Sequence, residues 1–236
     1  MYSRAKQGIK PDDKLSVVIF HNPYVLLMLE HFGVRMPVHE KTVKQVCDKY
    51  SIGPNVFITV TNLYNGIRPS GQPAFGNDDI IDIISFLKNS HNYYLNEKYP
   101  IIRDFIEQVQ KKNNSKEIGL VEKFFGEYFK KVQNHINYEN DVAFPYIVTL
   151  IENGQQPLEN GYSIVHYEEK HDNIEEELTD LKNLLIKYLP QENDQTIRRK
   201  LIFALFELEF DLTIHAQIED LILLPVIKKL EGTAQK

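Results

Sequence analysis

Histidine and glutamate recur in this sequence at a spacing suited to metal binding. His135 is followed four residues later by Glu139, and His215 is followed four residues later by Glu219. Both pairs belong to a His-x3-Glu-x5-Pro motif, and the two motifs lie 80 residues apart, with their prolines at Pro145 and Pro225. A spacing of four residues places both side chains of a pair on one face of a helix. An imidazole nitrogen and a carboxylate oxygen on one face can bind the same metal ion.

Two further histidines repeat with the same offset. His91 and His171 are also 80 residues apart, and their surroundings, Ser-His91-Asn and Lys-His171-Asp-Asn, are similar. The sequence therefore predicts two similar helical hairpins, each with one lone histidine and one His-x3-Glu pair. Chance alone gives roughly 0.7 such pairs in a chain of this composition, and three occur because His171 and Glu175 also match. The matched prolines and the double offset therefore support the site better than the spacing does.

Apolar residues flank both motifs at helical spacing. At −7, −3, +3 and +7 from each histidine lie Leu208, Leu212, Ile218 and Ile222, and Tyr128, Val132, Tyr138 and Val142. A glutamate on such a stripe is unfavourable unless a partner or metal compensates it. Glu175 differs, because Glu175-Glu-Glu177 is typical of a solvated face.

The ligand types narrow the choice of metal. Imidazole and carboxylate without thiolate suit iron, manganese or zinc, and two carboxylates can each bridge a pair of ions. We predict two non-haem iron ions with an oxo or hydroxo bridge, held by His91, His135, Glu139, His171, His215 and Glu219, with open positions for O2 or NO. The alternative is four unrelated surface or core histidines.

The other histidines receive no metal role. A lone histidine is more often structural than a ligand, and this is our interpretation of His21, His31 and His39. His166 lies five residues before His171, about 140° around a helix from it. We therefore leave His166 outside the predicted ligand set.

Composition excludes several other classes of protein. The chain has 236 residues, 42% hydrophobic and 25% charged, with a net charge of −6, which is typical of a globular protein. An acidic balance argues against nucleic acid as a partner. The sequence contains neither a signal segment nor an apolar run of membrane-spanning length, so we expect a cytoplasmic protein without membrane contact. A single cysteine, Cys47, excludes an internal disulfide and a Cys-rich metal site.

Helical periodicity and breaker residues predict an all-α fold. Residues 1–65 form a small helical module, with helices over Tyr24–His31, Val43–Tyr50 and about Pro54–Leu63, although the β-branched run from Val56 to Thr61 also suits a strand. Residues 66–78, rich in glycine and proline, form a linker. Residues 79–236 form an antiparallel up-down four-helix bundle. Its helices run from Asp78 or Asp79 to Gln110, from about Lys116 to Glu152, from after Gly161 to before Pro190, and from about Asp194 to Leu230.

Prolines fall inside these long helices. We expect Pro145 and Pro225 to kink their helices, and Pro100 to kink or split the first one.

These residues resemble the hemerythrin-like HHE cation-binding domains, in particular the di-iron repair-of-iron-centres proteins. The resemblance covers nearly the whole chain and implies a four-helix bundle whose di-iron centre is held by four histidines and two bridging glutamates. The matching positions are His91, His135, Glu139, His171, His215 and Glu219.

The N-terminal module also resembles the small N-terminal domain of that family. The similar segments begin at Pro23 and at Lys41, and Cys47 matches a recurrent position. The family commonly has an adjacent cysteine pair after the glycine at position 33, where this chain has Met36-Pro37. We interpret Cys47 as a small core residue rather than a reactive thiol.

The resemblance implies a cytosolic protein that helps repair iron–sulfur clusters after nitrosative or oxidative damage, with damaged iron–sulfur proteins as partners. A second hypothesis is a sensor that binds O2 or NO without turnover. A third, a di-iron oxidase or peroxidase, ranks lower because such enzymes usually have carboxylate-rich ligand sets. The sequence leaves enzymatic activity undecided, and a homodimer is the candidate assembly.

Overall fold

The protein is helical throughout the part of the chain that the structure, a computed structural model, describes. These residues are 8–71, 74–113, 116–153, 163–165, 167, 176–187 and 195–234. They contain no β-strand, and an isolated bridge joins Lys14 and Thr42. The predicted all-α class is confirmed at this level. Within the same ranges, no helix is both long enough and apolar enough to cross a bilayer.

Four short helices occupy the N-terminal region. They are α1 (Leu15–His21), α2 (Val25–His31), α3 (Val43–Tyr50) and α4 (Pro54–Tyr64). Local signals set their ends: Thr42 and Gln45 form a capping box at the start of α3, and Pro54 occupies the first turn of α4. The run from Val56 to Thr61 is helical rather than a strand, because helical spacing turns Val56, Phe57 and Val60 into the core together.

The long helices follow. The first run consists of α5 (Asn77–Tyr93), a π-helical segment π1 (Tyr94–Lys98) and α6 (Tyr99–Asn113). The second consists of α7 (Lys116–Tyr138), π2 (Glu139–Ala143) and α8 (Phe144–Glu152). Then come α9 (Glu176–Lys187), α10 (Gln195–Ile218), π3 (Glu219–Leu223) and α11 (Leu224–Ala234). The predicted bounds of the first, second and fourth long helices agree with these runs to within a few residues.

Each proline in the long helices follows a π-helical segment. Pro100, Pro145 and Pro225 are each the second residue of the α-helix that resumes after π1, π2 and π3. In π1 and π3 the backbone N–H of Tyr99 donates to Tyr94, and that of Leu224 donates to Glu219, five residues back. Proline has no N–H to continue the ladder. The prolines that we expect to kink their helices thus each follow a π segment, and Pro100 does not split the first run.

The chain divides into two compact units. Unit 1 comprises the described residues of Met1–Ser90, Phe144–His166 and Ile214–Lys236. Within it, α2 and α3 pack on α4, and α1 packs on α2. The ring of Phe32 lies 5.2 Å from that of Phe57 and 4.7 Å from that of Phe86, so α5 shares an aromatic core with α2 and α4.

Unit 2 comprises the described residues of His91–Ala143 and Tyr167–Thr213. Within it, α6 packs on α7, and α7 packs on α9. Lys182 and Thr179 of α9 bind Glu209 of α10. Tyr94 of π1 donates to Asp211 of α10 over 2.8 Å. In unit 2, each of α6, α7, α9 and α10 thus contacts the next, and α10 also contacts π1, which precedes α6 in the first run.

Candidate metal centre

Glu139 is the centre of a buried cluster in unit 2. Its Oε2 lies 3.2 Å from Nε2 of His91, and its Oε1 lies 3.1 Å from Nε2 of His135. His135 and Glu139 come from consecutive turns at the end of α7 and the start of π2, and His91 comes from the end of α5. The Glu139 side chain is completely buried, and so is nearly all of His91. Two imidazoles from different helices therefore face the two oxygens of one carboxylate.

The histidines decide the charge of this carboxylate. Burial by itself would raise the pKa of Glu139, but hydrogen bonds and charge from His135 and His91 outweigh burial. The pKa of Glu139 therefore lies well below its usual value, and the side chain is an anion at neutral pH. An anionic oxygen in a buried setting is a strong ligand for a cation.

Two neighbouring side chains orient this cluster. Nδ1 of His91 lies 3.0 Å from Oδ1 of Asn140, which directs the other ring nitrogen, Nε2, at Glu139. The hydroxyl of Tyr167 donates to Oε1 of Glu139 over 2.8 Å, and Tyr167 is almost fully buried. Such outer contacts fix the ring orientation of metal-binding histidines and tune the carboxylate.

A matching pair lies in unit 1. Nε2 of His215, near the end of α10, lies 3.3 Å from Oε1 of Glu219, the first residue of π3. Both side chains are buried. The other ring nitrogen of His215, Nδ1, lies 2.9 Å from Oγ of the buried Ser90. This pair has the same internal arrangement as His135 and Glu139, as the repeated motif predicts.

These donors fit a metal ion of the imidazole and carboxylate class. Glu139 belongs to two groupings whose ligand atoms all lie within 4.8 Å of one another, one that includes His91 and another that includes His135. A carboxylate whose two oxygens face different imidazoles has the donor arrangement of a bridging ligand. The chemistry of the donor set therefore suits first-row divalent metals such as iron, manganese and zinc.

Five of the six predicted ligands lie in the part of the chain that the structure describes. Unit 2 brings together His91, His135 and Glu139, and unit 1 brings together His215 and Glu219. The remaining predicted ligand, His171, lies outside the described residues, and so does His166.

Three histidines without a predicted metal role, His21, His31 and His39, lie in the N-terminal region. Nδ1 of His21 lies 2.8 Å from the carbonyl oxygen of Val17 on the surface. His31 is buried with its ring edge-on to Phe86, at 5.3 Å between centroids. His39 adopts a positive φ of 51° and is exposed.

Sequence reasoning missed three of the residues that contact the candidate ligands. Ser90 and Asn140 are chain neighbours of His91 and Glu139, so inspection of the positions beside each ligand could have found them. Tyr167 carries no comparable signal. Two tyrosines close to His91 in the sequence bind other carboxylates. Tyr93 donates to Glu207 and Tyr94 to Asp211, both over short distances in unit 2.

Cys47 lies in the core of the N-terminal helices. It is 1% exposed, and burial raises the pKa of its thiol to about 12. A thiol that stays protonated at neutral pH is a poor nucleophile and a poor metal ligand. The interpretation of Cys47 as a core residue is confirmed.

In comparisons with known proteins, no family model and no curated protein matches the chain.

Proposed function

We propose that this chain is a cytoplasmic, non-haem di-iron protein of the hemerythrin-like class that acts in the repair of iron–sulfur clusters under nitrosative or oxidative stress. One observation carries the metal assignment: the buried anionic Glu139 faces His91 with one oxygen and His135 with the other. A buried carboxylate whose two oxygens each face an imidazole nitrogen offers a cation the oxygen and nitrogen ligands that first-row divalent metals take. The resemblance to the repair proteins supplies the choice of iron and of process.

The fold assigned to this function is an antiparallel four-helix bundle. Support comes from the sequence of contacts inside unit 2, which passes from α6 to α7, α9 and α10 and returns to π1. The lengths of the helical runs and the repeat of 80 residues point the same way. A bundle core built from facing helices is a known scaffold for dinuclear carboxylate sites.

In this proposal two iron ions would be held by His91, His135, Glu139, His171, His215 and Glu219. The negative charge of the two carboxylates would reduce the repulsion between the two cations. Bound iron would supply reversible redox chemistry and open positions for a small gaseous ligand, O2 or NO. The remaining tasks belong to the chain: Asn140 and Tyr167 hold the ring of His91 and the carboxylate of Glu139 in place.

Metal analysis of the protein purified from iron-replete cells tests this proposal first. We expect about two irons per chain, in line with dinuclear sites in helix bundles. One zinc per chain would refute the dinuclear assignment. The second test exposes the reduced protein to NO, with binding followed by visible and EPR spectra, and then asks whether it restores activity to a nitrosylated iron–sulfur enzyme. A protein that neither binds NO nor restores the enzyme does not act in cluster repair.

A sensor that binds O2 or NO without turnover is the second candidate. The buried state of Cys47 favours it, because a protonated core thiol offers no redox partner for an iron centre. A stable O2 complex in a protein that leaves damaged clusters unrepaired would select the sensor. Neither candidate requires nucleic acid or a membrane, and both are compatible with a homodimer.

A further inference from the structure

Ser90 connects the backbone of α5 to a candidate ligand on α10. Its Oγ lies 2.9 Å from Nδ1 of His215 and 2.8 Å from the carbonyl oxygen of Leu87, and the residue is completely buried. The sequence assigns this serine no role beyond its place next to His91. Its two contacts settle a question that heavy-atom positions usually leave open, namely which nitrogen of the histidine carries the proton.

The Ser90 hydroxyl has two hydrogen-bond partners but a single proton. A serine hydroxyl has one proton to donate, and a backbone carbonyl oxygen can only accept. The Ser90 hydroxyl donates to the carbonyl of Leu87 in the preceding turn, which is a common bond for serine inside a helix. Its oxygen is then left to accept, so the bond to His215 requires a proton on Nδ1 of the imidazole.

We infer that Ser90 is a positioning residue that fixes His215 with its proton on Nδ1 and directs the Nε2 lone pair toward the metal. This inference deepens the proposed function and rests on it for the role of the metal. Nε2 is the ring nitrogen that faces Glu219, at 3.3 Å. With the Nδ1 proton committed to Ser90, Nε2 is the ring nitrogen that a cation would bind, in place of any proton it shares with Glu219.

The comparison with His91 shows why the serine is the more selective partner. Asn140 presents its amide to Nδ1 of His91 at 3.0 Å, and an amide can offer either an acceptor oxygen or a donor NH2. The Ser90 hydroxyl has already committed its proton to Leu87. Ser90 therefore accepts one tautomer of His215 and excludes the other.

The first test is a ¹⁵N NMR spectrum of histidine-labelled, metal-free protein, with the His215 resonances identified by their loss in the His215→Gln variant. We expect an Nδ1 nitrogen of His215 that carries a proton protected from solvent exchange. We also expect this proton to exchange rapidly in Ser90→Ala. An Nδ1 that resonates as an unprotonated acceptor in the wild type overturns the inference.

The second test is the affinity for Zn²⁺, which takes the same ligand types, measured by competition with a chromophoric chelator. Ser90→Ala should bind Zn²⁺ about 10- to 100-fold more weakly, whereas Ser90→Thr retains a hydroxyl and should recover most of the affinity. Thr61→Val is the matched control: it removes a buried hydroxyl that donates to the carbonyl of Phe57 in the same unit and contacts no candidate ligand. Circular dichroism verifies that each variant is folded.

The outcomes separate this inference from the proposed function. A wild type that shows the protected Nδ1 proton but binds no metal removes the proposed function and leaves the tautomer assignment intact. A Ser90→Ala variant that binds Zn²⁺ as tightly as the wild type overturns the positioning role. If Ser90→Ala does not fold, the wild-type spectrum still decides the direction of the hydrogen bond.

Discussion

His91 and His31 are equally buried, each with 1% of its surface exposed, yet they lie in opposite chemical surroundings. His91 has the carboxylate of Glu139 at Nε2 and the amide of Asn140 at Nδ1. His31 packs its ring edge-on against Phe86 and accepts, at its backbone carbonyl, a hydrogen bond from Asn89. Burial therefore does not distinguish a candidate ligand from a core histidine here. His91 is marked instead by the carboxylate and the amide that face its two ring nitrogens.

The largest expected effect separates the two regions directly. We expect His135→Ala to lose at least one of about two irons per chain, because it removes one of the imidazoles that face Glu139. The matched control, His31→Phe, preserves an aromatic ring against Phe86 and should keep the full iron content. Iron and protein analysis of both purified variants makes the comparison. Equal iron loss in the two variants would contradict the assignment of His135 as a ligand and of His31 as a core residue.

The second largest effect is expected for Glu139→Gln, on the stability of the metal-free protein and its dependence on pH. Glu139→Gln removes one partner of a buried ionic cluster and should lower the free energy of unfolding by about 3 kcal/mol at pH 7. The pKa of Glu139 is held well below 4.5, so the stability from its ionised form is present above about pH 4.5 and is lost as the pH falls further. Urea unfolding of both proteins between pH 7 and acid should therefore show the difference shrinking below that value. A difference independent of pH would contradict the assigned charge.

Tyr167→Phe should have a smaller effect. It removes a hydrogen bond to a buried anion, and we expect a loss of about 2 kcal/mol in the unfolding free energy of the metal-free protein. Tyr93→Phe is the control, since Tyr93 donates over 2.9 Å to Glu207, whose side chain is 38% exposed. Tyr93→Phe should be less destabilised and should bind iron like the wild type. If the two variants respond equally, Tyr167 has no special role at Glu139.

The smallest effect is expected at Cys47, in the N-terminal region. Its thiol pKa is raised from 9.0 to about 12 by burial, so the folded state retains a proton that the unfolded chain releases above pH 9. The stability that comes from keeping this thiol protonated is present below pH 9 and is lost as the pH rises toward 12. The stability advantage of the wild type over Cys47→Ala, about 1 kcal/mol at pH 7, should therefore decline in that window. A rapid reaction of native Cys47 with a thiol reagent at pH 7 would refute its burial.

Sequence reasoning succeeded where the geometry is local. The pairing of His135 with Glu139, and of His215 with Glu219, follows from helix periodicity alone, and the structure places both pairs in contact. Helix ends at Thr42 and Pro54 were equally accessible, because capping depends on a few neighbouring residues.

Contacts between distant segments were not accessible in the same way. The bond from Tyr167 to Glu139 joins residues 28 positions apart, and no pattern in the sequence marks it. The run from Val56 to Thr61 has a high strand propensity, but it forms a helix because its apolar side chains pack against other helices. The π segments depend on where a helix widens, which hydrophobic periodicity does not specify.

The π segments have a consequence for how this chain can change by insertion and deletion. Removing one residue from Glu139–Ala143 would allow the run to close as a plain α-helix. All side chains beyond that point would then rotate by about 100° relative to those before it. Tyr146 and Ile147 would leave the core, while His135 and Glu139 would keep their mutual spacing. The one extra residue of the π segment thus sets the rotation about the helix axis between the turn that carries the ligands and the side chains that pack in the core. An alignment of relatives of this chain should therefore allow a one-residue gap at each of the three π segments.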